Sequence, residues 1–181
     1  MEPGSDEYYM KMALAEAEKA AARDEVPVGA VVVAGGTVIA RAHNLTETLN
    51  DPAAHAEMQA GSVTAAGGTV IARAHNLTET LNDPTAHAEM QAITAATSYL
   101  GGKYLTGCTI YVTVEPCVMC AGALAWSQVT ALVWGASDPK KGYTTTGAGI
   151  LHPKTEVRTG VLAGKCSDIM KKFFRKKRDQ A

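Results

Sequence analysis

Apolar residues recur at two different spacings along the chain, and the change between the spacings separates helices from strands. Residues 6–23 repeat an apolar side chain every three or four positions, which predicts an amphipathic helix. Ser5 or Asp6 can cap its first turn. Residues 28–33 form a continuous apolar, β-branched run, which is typical of a strand buried on both faces. The pattern therefore predicts a helix followed by a central strand.

Strands and helices continue to alternate after this point. Gly35 and Gly36 predict a two-residue turn into a second strand over 37–42. The later pattern predicts helices that begin near His55 and His87, a strand at 109–114 and a helix at 118–126. Pro116 is expected at the position of a first helical residue. The pattern then predicts strands at 132–134 and 157–161 and a closing helix at 165–177. This alternation predicts an α/β fold with three layers, α/β/α.

A repeat interrupts the alternation. Residues 29–60 and 61–92 are adjacent copies of one 32-residue unit, and the four differences pair Ala30 with Ser62, Val32 with Thr64, Val33 with Ala65 and Ala53 with Thr85. Two copies are too few for a solenoid, so we expect a single domain over 6–181 that carries an extra segment. The first copy has the more apolar strand, and only the helix at His87 continues beyond the repeat. We therefore expect the central strand from the first copy and this helix from the second.

Composition and charge exclude several classes of protein. Lys and Arg number 17 against 18 Asp and Glu, so the chain as a whole is not basic and any contact with a nucleic acid must come from a local patch, such as the cluster of Lys and Arg at 171–178. Such a run is also typical of a solvated helix end. The sequence has neither an apolar stretch long enough to cross a membrane nor a secretion signal, so we expect a cytoplasmic protein without membrane contact. Residues 1–5 are expected to be a leader outside the domain.

The four cysteines indicate metal binding or burial rather than disulfides in a reducing compartment. Cys117 and Cys120 are three residues apart in the first turn of a predicted helix, so their thiols share a face and can hold one ion. A redox dithiol, or half of a four-cysteine structural site, would have the same spacing. Cys108 and Cys166 are isolated in sequence, however, and do not form a second pair by spacing.

A histidine beside a carboxylate offers the third ligand. His87 and Glu89 are two residues apart at the start of a helix, where their side chains diverge, so we expect one ligand and one group with another role. One histidine and two cysteines leave the fourth zinc position open, as in catalytic sites, whereas a structural site fills all four. Water bound there is acidified, and Glu89 can take its proton.

The combination of His87-Ala88-Glu89 with Pro-Cys-Val-Met-Cys at 116–120 resembles the zinc nucleobase deaminases. Residues 25–30, 83–89 and 111–123, with Phe-Phe-Arg at 173–175, are similar to bacterial tRNA adenosine deaminases, and the resemblance covers residues 6–178. It implies a cytidine-deaminase-like three-layer fold with a mixed sheet of about five strands. It also implies a homodimer. That family has no second copy of the repeated segment.

The resemblance further implies zinc-dependent hydrolytic deamination of adenosine to inosine at the wobble position of tRNA, with the anticodon arm as partner and the base flipped into the pocket. Matched by motif, the metal ligands would be His87, Cys117 and Cys120, the proton shuttle Glu89, the base contact Asn44 or Asn76, and the residue beside the target ribose Asp138. A carboxylate kept beside the ribose fits an RNA substrate.

Three alternatives stay open. The chain could deaminate a free nucleobase or nucleoside such as guanine or cytosine, or it could be an engineered DNA-editing derivative, which Asp138 disfavours. In a different class, a pocket disrupted by the repeat would leave an inactive, zinc-stabilised RNA-binding scaffold. A spare hairpin can also add to a sheet edge or exchange with a neighbouring subunit, so domain swapping through the repeat is a further expectation.

Several other residues of reactive or aromatic type have simpler interpretations. We expect loop positions for His43, His75 and His152, core positions for Trp126 and Trp134, and a buried thiol at Cys166.

Overall fold

A six-stranded mixed sheet is the centre of the fold in the computed structural model of the protein. The structure describes residues 4–35, 37–44, 63–65, 68–70, 73–76, 82–147 and 149–180. For residues 37–44, 63–65, 68–70 and 73–76 it describes the backbone alone. The strands are β1 (Gly29–Ala34), β2 (Thr37–Asn44), β3 (Val63–Ala65), β4 (Gly68–Val70), β5 (Arg73–Asn76), β6 (Cys108–Val114), β7 (Ala131–Ala136) and β8 (Glu156–Thr159). The helices are α1 (Asp6–Ala22), α2 (Ala88–Leu100), α3 (Val118–Trp126), α4 (Tyr143–Thr146) and α5 (Ala163–Asp179).

The strand order in the sheet is β5-β2-β1-β6-β7-β8, and β3 and β4 form a separate two-stranded antiparallel sheet. β1 runs antiparallel to both of its neighbours, β2 and β6. The pairs β6–β7 and β7–β8 are parallel, as is the pair β2–β5. The predicted hairpin of β1 and β2 is therefore confirmed, with Ala34 opposite Thr37 across the turn.

Helices cover both faces of the sheet, and each face has its own apolar core. Successive side chains of β1 point to opposite faces of the sheet. Ala30 and Val32 belong to the core under α2 and α3, whereas Val31 and Val33 belong to the core under α1 and α5. At its start Gly29 lies so close to α1 that a Cβ atom would be 2.0 Å from the Ala13 carbonyl oxygen. The α/β class and three-layer architecture predicted from the sequence are confirmed, and the sheet has one strand more than the five expected.

Most helix boundaries agree with the sequence signals. The Ser5 side chain accepts a hydrogen bond from the Tyr8 N–H at the start of α1, and α2 ends at Gly101 in the left-handed conformation. The position of Pro116 was predicted wrongly, since α3 starts at Val118 with Cys117 as its N-cap. α4 was not predicted, since a single turn of four residues carries no periodic pattern.

The extra strand comes from the second copy of the repeat. β1 and β2 belong to the first copy, as expected for β1, and β5 pairs with the outer side of β2. His43 and His75 therefore lie in strands and not in loops. The first copy's His55 and Glu57, and the helix predicted there, lie outside the described residues.

The two tryptophans have different environments. Trp134 is buried as expected, but the prediction for Trp126 was wrong because its side chain is 86 % exposed at the end of α3. Cys166 is a buried thiol, and His152 lies in a loop. Among the described residues no helix is long and apolar enough to span a membrane.

Candidate metal centre

Three side chains converge where the N-termini of α2 and α3 meet. His87 is the N-cap of α2, Cys117 is the N-cap of α3, and Cys120 follows one turn later. The His87 Nδ1 atom lies 3.7 Å from the Cys117 Sγ and 3.6 Å from the Cys120 Sγ. All three ligand atoms lie within 4.8 Å of one another, so one ion can reach them together.

The turn before α2 orients the histidine. The Asp83 carboxylate accepts hydrogen bonds from the N–H (2.8 Å) and the hydroxyl (2.7 Å) of Thr85, and these bonds lower the pKa of Asp83. The His87 N–H donates to the Thr85 carbonyl oxygen at 2.7 Å. The first copy has Ala53 in place of Thr85, so only the second copy can form the hydroxyl bond.

The two thiols differ in their ease of ionisation. Hydrogen bonds from Cys120 and then His87 lower the pKa of Cys117 to about 4. The pKa of Cys120 is raised, first by its hydrogen bond to Cys117 and then by burial, with Glu89 and Cys117 adding negative charge nearby. A cation at this point would remove the repulsion that opposes a second thiolate. The cluster is therefore suited to bind a positive ion.

Glu89 lies beside the cluster, in the first turn of α2, and is 5 % exposed. Burial raises its pKa above the usual range of a glutamate, while its own helix N–H and the nearby His87 oppose that change. The pKa of His87 is raised in turn, first by its hydrogen bond to Cys117 and also by the charge of Glu89. A carboxyl group with a raised pKa can both accept and return a proton near neutral pH.

A cavity of about 890 Å³ opens from the cluster towards α5. His87, Glu89 and Cys117 line its inner end. The outer wall includes the charged residues Lys140, Lys141, Lys171, Arg175 and Arg178, together with Phe174. The basic run noted in the sequence therefore contributes side chains to the same cavity as the metal cluster, although the two are more than 50 positions apart.

The other predicted site residues lie near this cavity or on the sheet. Asp138 lines the cavity, and its carboxylate accepts hydrogen bonds from the backbone N–H groups of Lys140 (2.9 Å) and Lys141 (3.1 Å). Asn44 and Asn76 end β2 and β5, and their Cα positions are partners in the parallel register. The side chains of these two asparagines lie outside the described part of the structure.

Glu115 is a residue that sequence reasoning missed. It lies between β6 and α3, is 5 % exposed, and binds a segment that lies beyond β7. The available signal was its position directly before Pro116 and Cys117, where a charged residue follows a buried strand. Its hydrogen-bond partners are 23 and 29 positions away, so no local sequence pattern indicates them.

Comparison with known families gives two matches that together span the chain. Residues 3–62 match the cytidine and deoxycytidylate deaminase zinc-binding region, and residues 58–178 match the MafB19-like deaminases. The change from one match to the other falls at the junction of the two repeat copies. Each match therefore contains one complete His-Ala-Glu segment, at 55–57 in the first and at 87–89 in the second.

Individual relatives agree with these families. A tRNA-specific adenosine deaminase of Bacillus subtilis (strain 168) is 40 % identical over 178 residues, covering 96 % of this chain and 91 % of the relative. Another from Aquifex aeolicus (strain VF5) is 36 % identical, with 96 % of each chain covered. A solved structure from a study of A-to-I editing by tRNA:A34 deaminases at the wobble position is 34 % identical, covers 90 % of this chain and 98 % of its own, and superposes with a TM-score of 0.67. With the His-Cys-Cys cluster at the helix ends, these similarities show that the chain belongs to the tRNA-specific adenosine deaminases of the cytidine and deoxycytidylate deaminase superfamily.

Proposed function

We propose that this protein hydrolytically deaminates adenosine to inosine at the wobble position of a tRNA. One observation carries the proposal: the cluster of His87, Cys117 and Cys120, with the buried Glu89 beside it, opens into a cavity whose outer wall is basic. The relatives that share this fold and most of its length are tRNA-specific adenosine deaminases. A basic wall suits the phosphates of a nucleic acid better than a free base.

Zinc fits the donor set of the cluster. One imidazole nitrogen and two sulfur atoms are ligands that zinc prefers, and three protein ligands leave one position for substrate water. His87, Cys117 and Cys120 would hold the zinc, which would supply a Lewis acid that lowers the pKa of water. The match to the zinc-binding region of the superfamily covers residues 3–62, so it supports zinc for the family, and the donor set itself supports these three ligands.

Glu89 is proposed to move the proton. Its carboxyl group is buried next to the cluster, and burial raises its pKa, so it can accept a proton from water and deliver it to the purine ring or the leaving ammonia. Its short distance along α2 from His87 keeps it at the cavity's inner end.

The substrate is proposed to enter between α5 and the segment that follows β7. Lys171, Arg175 and Arg178 would contact phosphates, and Phe174 offers an aromatic surface for a base next to the target. Asp138 would lie beside the target ribose, and Asn44 or Asn76 would contact the base. Asp138 supports RNA as the substrate, because a 2′-hydroxyl can donate to a carboxylate and a deoxyribose cannot.

A homodimer remains a prediction, and exposed apolar side chains near the ends of α2 and α3 support it. Trp126, Tyr99 and Tyr104 are all substantially exposed. The Leu105 N–H donates to the Ser127 carbonyl oxygen at 2.7 Å, which brings these helix ends together. Large exposed aromatic groups of this kind are enriched in protein interfaces. The cytoplasmic location expected from the sequence also remains a prediction.

We further infer one domain over residues 6–181 and a tandem duplication as the origin of the repeat. Near-identity of the two copies supports the duplication, and the shared sheet supports the single domain. β5 lies at one end of the strand order, so it has a side on which a strand from another subunit can pair. Domain swapping through this strand stays a prediction.

The decisive experiment is incubation with a tRNA that has adenosine at the wobble position, followed by nucleoside analysis for inosine. The expected result is inosine at that position only, with the same tRNA carrying guanosine there as control. Free guanine, cytosine and cytidine are tested in parallel, because a solved guanine deaminase of Bacillus subtilis is 30 % identical over 71 % of this chain. Turnover of a free base without any inosine in tRNA would contradict the proposal, and absence of all turnover would favour an inactive scaffold.

A further inference from the structure

The carboxylate of Glu115 joins two segments that both contribute to the cavity. Its Oε1 atom accepts hydrogen bonds from the hydroxyl (2.6 Å) and the backbone N–H (3.1 Å) of Thr144, and its Oε2 atom accepts one from the backbone N–H of Asp138 (3.0 Å). Glu115 is among the residues that line the cavity, but both of its carboxylate oxygens are occupied by these donors. It thus binds the segment 138–144 at two points, Asp138 and Thr144.

The backbone reinforces the same connection. The Glu115 N–H donates to the Ala136 carbonyl oxygen at 2.8 Å, and the Tyr143 N–H donates to the Pro116 carbonyl oxygen at 2.9 Å. Cys117 and Gly142 form an isolated antiparallel bridge. A Cβ atom on Gly142 would be 2.3 Å from the Glu115 Cδ, so the carboxylate packs directly against the backbone of this segment.

These contacts connect Cys117, a candidate metal ligand, with Asp138, the residue proposed to lie beside the target ribose. Cys117 follows Glu115 by two positions, and Asp138 is bonded to Glu115 through its own N–H. Asp138 and Cys117 line the same cavity as His87 and Glu89. Any movement of the Glu115 carboxylate therefore changes the position of Asp138 relative to the reacting group.

We propose that Glu115 is a positioning residue that holds Asp138 in place relative to the metal ligands, and that it thereby sets the preference for a ribose over a deoxyribose at the target nucleotide. The inference rests on the proposed function, in which Asp138 lies beside the target ribose. It assigns to Glu115 no contact with the substrate.

A glutamine cannot replace Glu115 in this position. Each carboxylate oxygen faces a backbone N–H, from Asp138 on one side and Thr144 on the other. The amide group of a glutamine would place its own N–H groups against one of these donors in either orientation. One buried donor would lose its acceptor, which is costly enough to displace the segment.

The test measures inosine formation in an anticodon stem-loop with either adenosine or 2′-deoxyadenosine at the target position. For Glu115→Gln we expect the ratio of the two kcat/KM values to fall by about tenfold, with zinc content unchanged. Thr144→Val, which removes the 2.6 Å bond, should reduce the ratio by a smaller factor. Thr145→Val is the matched control, because the Thr145 hydroxyl donates to the Gly142 carbonyl oxygen and not to Glu115. It should leave the ratio unchanged.

A double-mutant cycle separates positioning from general stability. If Glu115 acts through Asp138, the ratio in Asp138→Ala should not change further when Glu115→Gln is added. An equal loss of activity on both substrates, or additive effects in the double variant, would overturn the inference.

Amide hydrogen exchange tests the positioning without any turnover. Glu115→Gln should reduce protection of the N–H groups of Asp138 and Thr144 while protection in β6 and β7 is retained. Unchanged protection at those two amides would overturn the inference. A wild-type protein that forms no inosine contradicts the proposed function, whereas the exchange result still decides whether Glu115 holds the segment.

Discussion

The two copies of the repeat have almost the same sequence and occupy different places in the fold. In the first copy the stretch Thr37–Asn44 is one eight-residue strand, β2, antiparallel to β1. In the second copy the described residues of the matching stretch belong to β4 and β5, and β5 runs parallel to β2 with Asn44 opposite Asn76. The same residues thus form different pairings, so the surrounding chain decides the pairing and the local sequence does not.

The positions at which the copies differ explain the division of roles. Ala30, Val32 and Val33 are buried in β1 of the first copy, where the second copy has Ser62, Thr64 and Ala65. The hydroxyl groups of Ser62 and Thr64, at the places of Ala30 and Val32, would enter the apolar core under α2 and α3 without an assured partner. Conversely, Thr85 of the second copy bonds to Asp83 in the turn that precedes His87, and the first copy has alanine there. Each copy is better suited to one end of the site.

The largest difference between the copies is expected in kcat, when the glutamate of each His-Ala-Glu segment, Glu57 or Glu89, is replaced by glutamine. Glu89→Gln should lower kcat by about 10²- to 10⁴-fold, because the buried carboxyl group proposed to move protons is replaced by a neutral amide. Glu57→Gln should leave kcat close to wild type. The measurement is inosine formed per zinc-loaded protein, with zinc content checked by elemental analysis in both variants. Comparable losses in the two variants would mean that both copies can supply the catalytic glutamate.

A second large difference is expected between Asn44→Ala and Asn76→Ala. In the proposed function one of the two asparagines contacts the base in a given molecule. Loss of that contact should reduce kcat/KM by roughly 10- to 100-fold, the equivalent of about 1–3 kcal/mol. The other substitution should have little effect. Equal and partial losses would instead indicate that the copies exchange between the two positions.

The two copies should also differ in how much a substitution at a matching strand position, Val32 or Thr64, changes the free energy of unfolding. Val32→Thr replaces a fully buried methyl group by a hydroxyl of the same size and should lower the free energy of unfolding by about 1–3 kcal/mol. The reciprocal change, Thr64→Val, places the residue of the first copy in the second and should cause a much smaller change. Denaturant unfolding of both variants is the measurement. A larger loss for Thr64→Val would show that the central strand does not come from the first copy alone.

The smallest effect is expected when one repeat unit is removed. Deleting residues 34–65 or residues 45–76 yields the same shortened chain, because the stretch between the two cuts is identical in both copies. The product keeps β1, Thr85, His87 and Glu89. Since closure entropy changes by only about 0.6 kcal/mol for each doubling of loop length, activity should remain within severalfold of wild type. Loss of zinc binding in the shortened chain would show that the extra segment supports the metal site.

Residues close together in sequence carried most of what could be predicted. Patterns within a few neighbouring residues were enough to predict three features. They are the helix that starts after Ser5, the hairpin at Gly35, and the paired thiols of Cys117 and Cys120. These signals are local because backbone hydrogen bonds, caps and side-chain faces repeat over a few residues. The elements and the metal cluster were therefore accessible from the sequence.

Contacts between distant segments were decided by the tertiary structure. Three features depend on how helices and loops pack around the sheet. They are the exposure of Trp126, the hydrogen bonds of Glu115 to Asp138 and Thr144, and the basic side chains that α5 contributes to the cavity wall. No local pattern distinguishes a tryptophan at a core position from one at an open helix end. The sequence by itself determined the secondary structure and the chemistry of the ligands. The pairing of β2 with β5, and the alignment of the cavity with the basic helix, were settled only when the whole chain packed, because many long-range contacts form together.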